Sequence, residues 1–205
     1  MSRGSGEIGA PEKLSAEHDL AGFDSGEPAL DEWLRRRALP NEAGGASRTY
    51  VVCVDKRVVG YYTLAVGAVA HADAPGRVKR NTPDPVPAMV LGRLAVDRAF
   101  QGRHIGAGLL RDAVLRTVQA AEIAGIRAIL VHAISEAAKR FYEGYGFIGS
   151  PVDPLTVVIT IAEAVKVGGA RTRSKALRSP TGIFPAGRSS GLSRGRERPS
   201  RRARG

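Results

Sequence analysis

The chain has 205 residues, 43% of them hydrophobic, which is enough for one domain with its own core. Its formal charge of +11 misleads: residues 166–205 hold twelve Lys or Arg against one acid, Glu197, and so carry all of it, while residues 1–165 balance at 19 basic and 19 acidic groups. Whole-chain basicity therefore says nothing about what the folded part binds. The single cysteine, Cys53, excludes an internal disulfide and fits a reducing cytosol. No apolar run reaches membrane-spanning length, because Arg127 interrupts the longest, and the N-terminus lacks the apolar segment of a signal peptide. A cytoplasmic protein with no membrane partner is expected.

Residues 1–12 are rich in Gly, Ser and Pro and read as a flexible N-terminus, with a short strand near 13–15. Residues 22–39 read as a helix: Pro28 stands early, Asp31 and Glu32 lie in the first turn, and Arg35, Arg36 and Arg37 come late, as the helix dipole prefers. Leu30, Trp33, Leu34 and Ala38 form its apolar face. Residues 50–54 and 58–70 are β-branched runs parted by Asp55, Lys56 and Arg57, the pattern of an antiparallel hairpin. Cys53 lies within the first run and reads as a core thiol rather than a nucleophile. Residues 71–88, dense in Pro and charge, predict a loop with one helical turn.

A central strand follows at 89–96, in which Gly92 suggests a bulge or a close approach by another backbone or a ligand. A glycine-rich loop then leads into a helix. Leu109, Leu110, Ala113, Val114, Val118 and Ala121 fall on one face of it, Arg111, Asp112, Arg116, Gln119 and Glu122 on the other, and Gly125 stands where a C-terminal glycine stops a helix. Residues 128–133 predict a buried strand, with His132 at its end as a hydrogen-bonded core histidine; His18 and His71 read as loop residues. Ser135 can cap a helix with an apolar face of Ala138, Phe141, Tyr142 and Tyr145, ended by Gly146, and residues 155–162 predict a last strand. This order gives an α/β domain over residues 13–165, a mixed sheet with helices on its faces. Residues 166–205 lack periodicity and apolar content and read as a disordered basic tail, able to touch nucleic acid nonspecifically or to be functionally idle.

The loop after the central strand is the most informative stretch. Bare backbone N–H groups at a helix N-terminus make an anion site, best suited to phosphate. The sequence is neither GxxxxGKS/T nor GxGxxG, which disfavours nucleoside triphosphates and dinucleotides. What stands there is Arg103-x-x-Gly106-x-Gly108. It resembles the R/Q-x-x-G-x-G/A pyrophosphate loop of GNAT-family acetyltransferases. Several separated blocks narrow the resemblance: FDSGEPALDEWLRRRAL, GASRTYVVC, GYYTLAVGAVAHADAPGRVKRNTPDPVPAMVLGRLAVDRAFQG and RFYEGYGFIGSPVDPLT are similar to the GNAT toxins of bacterial toxin–antitoxin pairs. The resemblance covers roughly residues 10–165 and leaves out the tail.

It implies a GNAT fold with a mostly antiparallel twisted sheet, acetyl-CoA as co-substrate, aminoacyl-tRNA as acceptor and a ribbon-helix-helix antitoxin as partner, with a homodimer left open. Position by position, Leu94, Ala95 and Val96 would offer main-chain contacts to the pantetheine arm. Gln101, Arg103, His104, Gly106, Ala107 and Gly108 would line the pyrophosphate loop. Tyr142 matches the catalytic tyrosine of the FY-x-x-x-GF block. His104 departs from the family, whose members commonly carry glycine there.

The chemistry is consistent with such an acceptor. The strand at 89–96 has no Asp or Glu to serve as base, yet an α-amine titrates near ~7.7–8.0, and an aminoacyl ester somewhat lower, so much of it is already neutral. A lysine side chain, near ~10.4, would need help this strand does not give. Tyr142 can donate a proton to the coenzyme sulfur, or simply pack with Phe141 and Tyr145. For tRNA contact the candidates are Arg35, Arg36, Arg77, Lys79, Arg80 and Arg93, with plain solvated charge as the alternative for all but Arg93; a strand arginine needs a partner, either the acceptor end or an acid. No Cys/His spacing points to a metal. Two other readings stay open: a GNAT enzyme acting on a protein N-terminus or small amine, and a degenerate module that only holds coenzyme A.

Overall fold

The computed structural model describes residues 7–166. One sheet runs in the order β1-β2-β3-β4-β5-β7-β6, built from β1 (Glu12–Lys13), β2 (Arg48–Val54), β3 (Arg57–Val69), β4 (Val86–Val96), β5 (Ala128–His132), β6 (Ile148–Gly149) and β7 (Thr156–Thr160). Its pairings are antiparallel except for β4 with β5, so the sheet is mixed and mostly antiparallel, as expected. A parallel pair needs a crossover, and α3 (Ile105–Ala124) supplies it.

The helices divide between the two faces. On one, α3 and α4 (Glu136–Glu143) pack on Val59, Tyr62, Leu64, Met89, Leu91, Val131 and Val157. On the other, α1 (Pro28–Ala43) covers Val51, Cys53, Val58, Tyr61 and Ala95, and α2 (Gly76–Lys79) covers Val69, Val86, Ala88, Leu130 and Val158. Alternation along each strand fixes which side chains share a face. Val90 and Leu130 are directly paired and lie on the α1/α2 face.

The β4–β5 ladder is short. It joins Ala88 to Ala128, Met89 to Ile129 and Val90 to Leu130, and then the strands part. From Leu91 to Val96, β4 stays paired with β3 on one side and, among the described residues, has no strand on the other. Gly92 is a bulge, as the sequence suggested: Leu91 pairs with Leu64 and Arg93 with Thr63, leaving Gly92 as the extra residue. A Cβ there would lie 3.2 Å from Thr63 Oγ1.

Several boundaries differ from expectation. Residues 7–12 are not loose, since Ile8 bridges Val54, Gly9 N–H donates to Cys53 O, and Glu12 opens β1; residues 1–6 lie outside the described residues. Helix α1 runs through Pro40 to Ala43, so Arg35, Arg36 and Arg37 sit mid-helix, away from the C-terminal dipole end. β4 begins at Val86, earlier than expected, and α4 ends at Glu143, which leaves Tyr145 beyond it. β7 stops at Thr160 and residues 161–166 turn helical. The proposed basic tail lies, but for Lys166, outside the described residues. Among the described residues no helix is long and apolar enough to cross a membrane.

Leu34 is fully buried in the α1 face of the core. Leu34→Ala should lower unfolding free energy by roughly 2–5 kcal/mol, read as a fall in the urea midpoint at unchanged slope.

Candidate active site

The site forms where β4 and β5 part. At the end of β4, Asp97 is buried and organises the turn that follows: Oδ1 accepts from Ala99 N–H at 2.9 Å, and Oδ2 accepts from Arg57 at 3.1 Å and from Asp24 N–H at 3.4 Å. Gln101 then fastens the loop, its amide donating to Val96 O at 2.9 Å and Ser25 O at 3.0 Å. Its side chain is thus committed to the protein backbone, and it supports the loop rather than offering its amide to a phosphate. Arg103 lies over the Phe100 ring, 5.1 Å from the centroid, with its charge at the surface.

Helix α3 opens from this loop. Its first backbone bond is Gly108 N–H to His104 O, so the N–H groups of Ile105, Gly106 and Ala107 precede the first helical bond and face outward. No acid sits in the first turn. These groups, with Val96, Gln101, Gly102, His104, Phe141 and Tyr145, line a cavity of about 470 Å³. A Cβ on Gly106 would lie 3.8 to 3.9 Å from Val96, Leu94 and Phe141, so the loop, the end of β4 and α4 meet at that point. Gly108 lies at the exposed outer side of the first turn, with open space where a Cβ would be. The expected loop residues are thus brought together with Leu94 and Val96, while Ala95 points into the opposite core under α1.

His104 has φ 60° and ψ 15°, in the left-handed region. This explains why glycine is common at the equivalent place: the turn into α3 needs a positive φ, which costs a side chain roughly 1–2 kcal/mol.

Tyr142 is buried on the α3/α4 face, in ring contact with Phe141 at 5.2 Å and Phe147 at 5.7 Å. Burial pushes its hydroxyl up to about 12, so it stays protonated across neutral pH.

The other wall belongs to the α1/α2 face. Arg93 shares that face with its β3 partner Thr63, and it meets no acid among the described residues. Instead its guanidinium lies 4.2 Å over the Trp33 ring, which is stacked on Tyr61 at 6.1 Å. Burial lowers the Arg93 pKa, the mark of a cation short of compensating charge. The other arginines are more committed: Arg35 donates to Phe23 O, Arg36 pairs with Glu32 and Arg77 with Glu163. Lys79 reaches His71 O at 3.5 Å, and Arg80 is exposed. The two basic clusters thus remain on separate elements, α1 and α2, rather than forming one patch.

His132 is corrected outright. It is not a core histidine; its side chain is 63% exposed, with Nδ1 2.6 Å from Thr156 Oγ1. Strand β5 is covered on both faces only as far as its neighbours reach, and β4 has parted by this residue. Thr156 and Asp153, which attend it, carried no sequence signal. Cys53 is buried and burial pushes its thiol up to about 11, an unreactive state. Its sulfur lies within 4.8 Å of ligand atoms of Glu12 and His18. Ser15 N–H donates into His18 Nδ1, so His18 Nε2 carries the proton and donates to Glu12 at 3.2 Å. That set is occupied by its own hydrogen bonds.

A helix N-terminus facing a cavity of about 470 Å³, beside an unpaired strand edge and a protonated buried tyrosine, fits a transferase that works on acyl groups carried by a coenzyme. The comparisons agree. Residues 45–148 match the acetyltransferase (GNAT) domain family, and the chain belongs to it. It is 56% identical over 155 residues to the tRNA-acetylating toxin of Mycobacterium tuberculosis, covering 76% of this chain and 93% of that one. Among solved structures it is similar to AtaT complexed with acetyl-methionyl-tRNAfMet (TM-score 0.72, 29% identity, 78% of this chain and 98% of that one). It is also similar to AtaTR bound with acetyl-CoA (TM-score 0.69, 30% identity, 78% and 97%).

Replacing His104 by glycine should relieve the left-handed strain and stabilise the protein by about 1 kcal/mol, read as a rise in thermal midpoint. A fall in midpoint would show that the imidazole contributes more than its backbone costs.

Proposed function

We propose that this enzyme moves acetyl from acetyl-CoA to the α-amino group of aminoacyl-tRNA in the cytoplasm, blocking translation as the toxin of a toxin–antitoxin pair. The observation that carries the reading is the opening between β4 and β5, with the phosphate loop and Tyr142 on one face and the uncompensated Arg93 on the other. The 56% identity to a tRNA-acetylating toxin supports the acceptor, and relatives crystallised with antitoxin and with DNA support the partner, which we take to be a ribbon-helix-helix protein.

Acetyl-CoA would lay its pyrophosphate against the N–H groups of Ile105, Gly106 and Ala107, with Arg103 adding charge at the rim and Gln101, Gly102, His104 and Gly108 shaping the loop. Its pantetheine would run along the unpaired edge of Leu94, Ala95 and Val96, as an added strand does. Tyr142 then donates its proton to the departing sulfur. The acceptor approaches from the α1 face, where Arg93 and the aromatic pair Trp33 and Tyr61 suit a phosphate and a terminal base. Arg35, Arg36, Arg77, Lys79 and Arg80 form the outer footprint.

The test is transfer of labelled acetyl to charged tRNA. Tyr142→Phe should lose at least roughly tenfold, within the ~10²–10⁴ typical of a proton donor, while acetyl-CoA binding is kept. Label absent from tRNA with wild type would overturn the acceptor. Arg93→Gln should raise KM for tRNA and flatten the plot of log affinity against log salt by about one unit, as loss of one phosphate contact requires. Because Tyr142 is pushed up to about 12, the rate should show no alkaline decline from it up to about pH 10.

A further inference from the structure

The C-terminal end of β5 holds an arrangement that neither the phosphate loop nor Tyr142 uses. Hydrogen bonds from the Thr156 hydroxyl and from Leu155 N–H hold the Asp153 carboxyl below its usual range, so it is ionised at neutral pH. An ionised carboxylate can only accept, and the Thr156 hydroxyl therefore gives its one proton to Asp153 Oδ2, at 2.5 Å. The Thr156 hydroxyl oxygen, its proton so committed, lies 2.6 Å from His132 Nδ1 and can only accept there. Nδ1 thus carries the ring proton of the neutral imidazole, and Nε2 is a bare acceptor. Asp153 stands 3.9 Å from the ring, placed to stabilise the imidazolium once a proton arrives.

Its position suits that task. His132 has the same strand parity as Leu130, so it lies on the α1/α2 face, the face of Arg93. It is two residues past the last β4–β5 pair, about 7 Å along the strand, at the mouth of the opening. Two other proton acceptors on this face are occupied. Asp31 accepts from the Ser25 backbone and hydroxyl, and His71 Nε2 meets Pro83 O at 2.9 Å, which requires a proton there. β4 carries no carboxylate or histidine, and Tyr142 is protonated and on the opposite face.

We infer that His132 is the general base of acetyl transfer, taking the acceptor amine's proton on Nε2, with Thr156 and Asp153 as positioning residues that fix its tautomer. The inference rests on the amine-acetylating reading given above. The amine nitrogen attacks the thioester carbonyl carbon, forming the C–N bond, and the adduct collapses with cleavage of C–S. The proton leaving nitrogen goes to His132, the sulfur takes one from Tyr142, and exchange with water resets both.

The experiment compares wild type, His132→Gln and Thr156→Val over pH 5.5–9, with aminoacyl-tRNA and, separately, an amino-acid methyl ester as acceptor; acetyl-CoA binding reports folding. His132→Gln should lose about 10²-fold in kcat with acetyl-CoA affinity unchanged. The acid limb of log kcat/KM should have a slope of about two in wild type, where amine and imidazole must both be neutral, and about one in the variant. Thr156→Val should lose roughly tenfold and retain the slope of two, since the base remains but its tautomer is no longer held. A His132→Gln rate within twofold of wild type, or an unchanged slope, overturns the assignment. If His132→Gln fails to bind acetyl-CoA, Thr156→Val decides alone, and a wild-type rate there overturns it. Transfer to the ester but not to tRNA would sink the tRNA reading while leaving the test of His132 intact.

Discussion

The structure depends on the parting of β4 and β5. Each strand has a stronger allegiance elsewhere: β3 follows β4 along its whole length, and β7 follows β5 along all of its own. Between them only the stretch from Ala88 to Val90 is joined, against Ala128 to Leu130. Backbone groups left unpaired in a sheet interior are costly unless something satisfies them. Here the vacant edge is where an extended, amide-bearing ligand can pair, and the gap connects two faces that are otherwise sealed by α3 and α4 on one side and α1 and α2 on the other. The Gly92 bulge sharpens the separation by adding a residue to β4 just past the last joined pair.

Holding the phosphate loop against this edge takes a second set of interactions. Asp97, buried at the end of β4, draws in Arg57 from β3 and the backbone of Asp24, while Arg98 pairs with Asp24 at 2.6 Å. Gln101 ties the loop to Val96 and to Ser25 at once. The segment before α1 is thereby bound to the loop, and Trp33 on α1 is bound to Arg93 on the other face of the sheet. One helix and its lead-in thus brace both halves of the site.

What the sequence revealed follows from how local each signal is. Helix α3, its glycine stop and the loop before it are written in consecutive residues, as is the Ser135 cap of α4, whose hydroxyl accepts from Ala138 N–H at 3.2 Å. The bulge at Gly92 was legible because a glycine inside a β-branched strand is already unusual. His132 was misread because the residues before it in β5 are buried, and nothing local announces that its neighbour strand has turned away. Arg93 gave a correct warning without its answer: a strand arginine needs a partner, and the partner proved to be an aromatic ring sixty residues earlier rather than an acid. Gln101 lines the loop cavity as its position suggested, but which way its exposed amide turns is decided by carbonyls from two other segments.

The electrostatics of the site follow from the same division of the sheet. On the α3/α4 face Tyr142 loses water on nearly every side, so its neutral, protonated form is favoured. On the α1/α2 face His132 keeps its water, and Thr156 with Asp153 sets which ring nitrogen carries its proton. The sheet therefore keeps a buried proton donor and an exposed proton acceptor apart in space. A single pocket holding both would let the tyrosine hydrogen-bond to the imidazole before substrate arrived. Because the strands part only beyond Val90 and Leu130, the proposed mechanism lets the two groups act on one reacting centre without meeting each other.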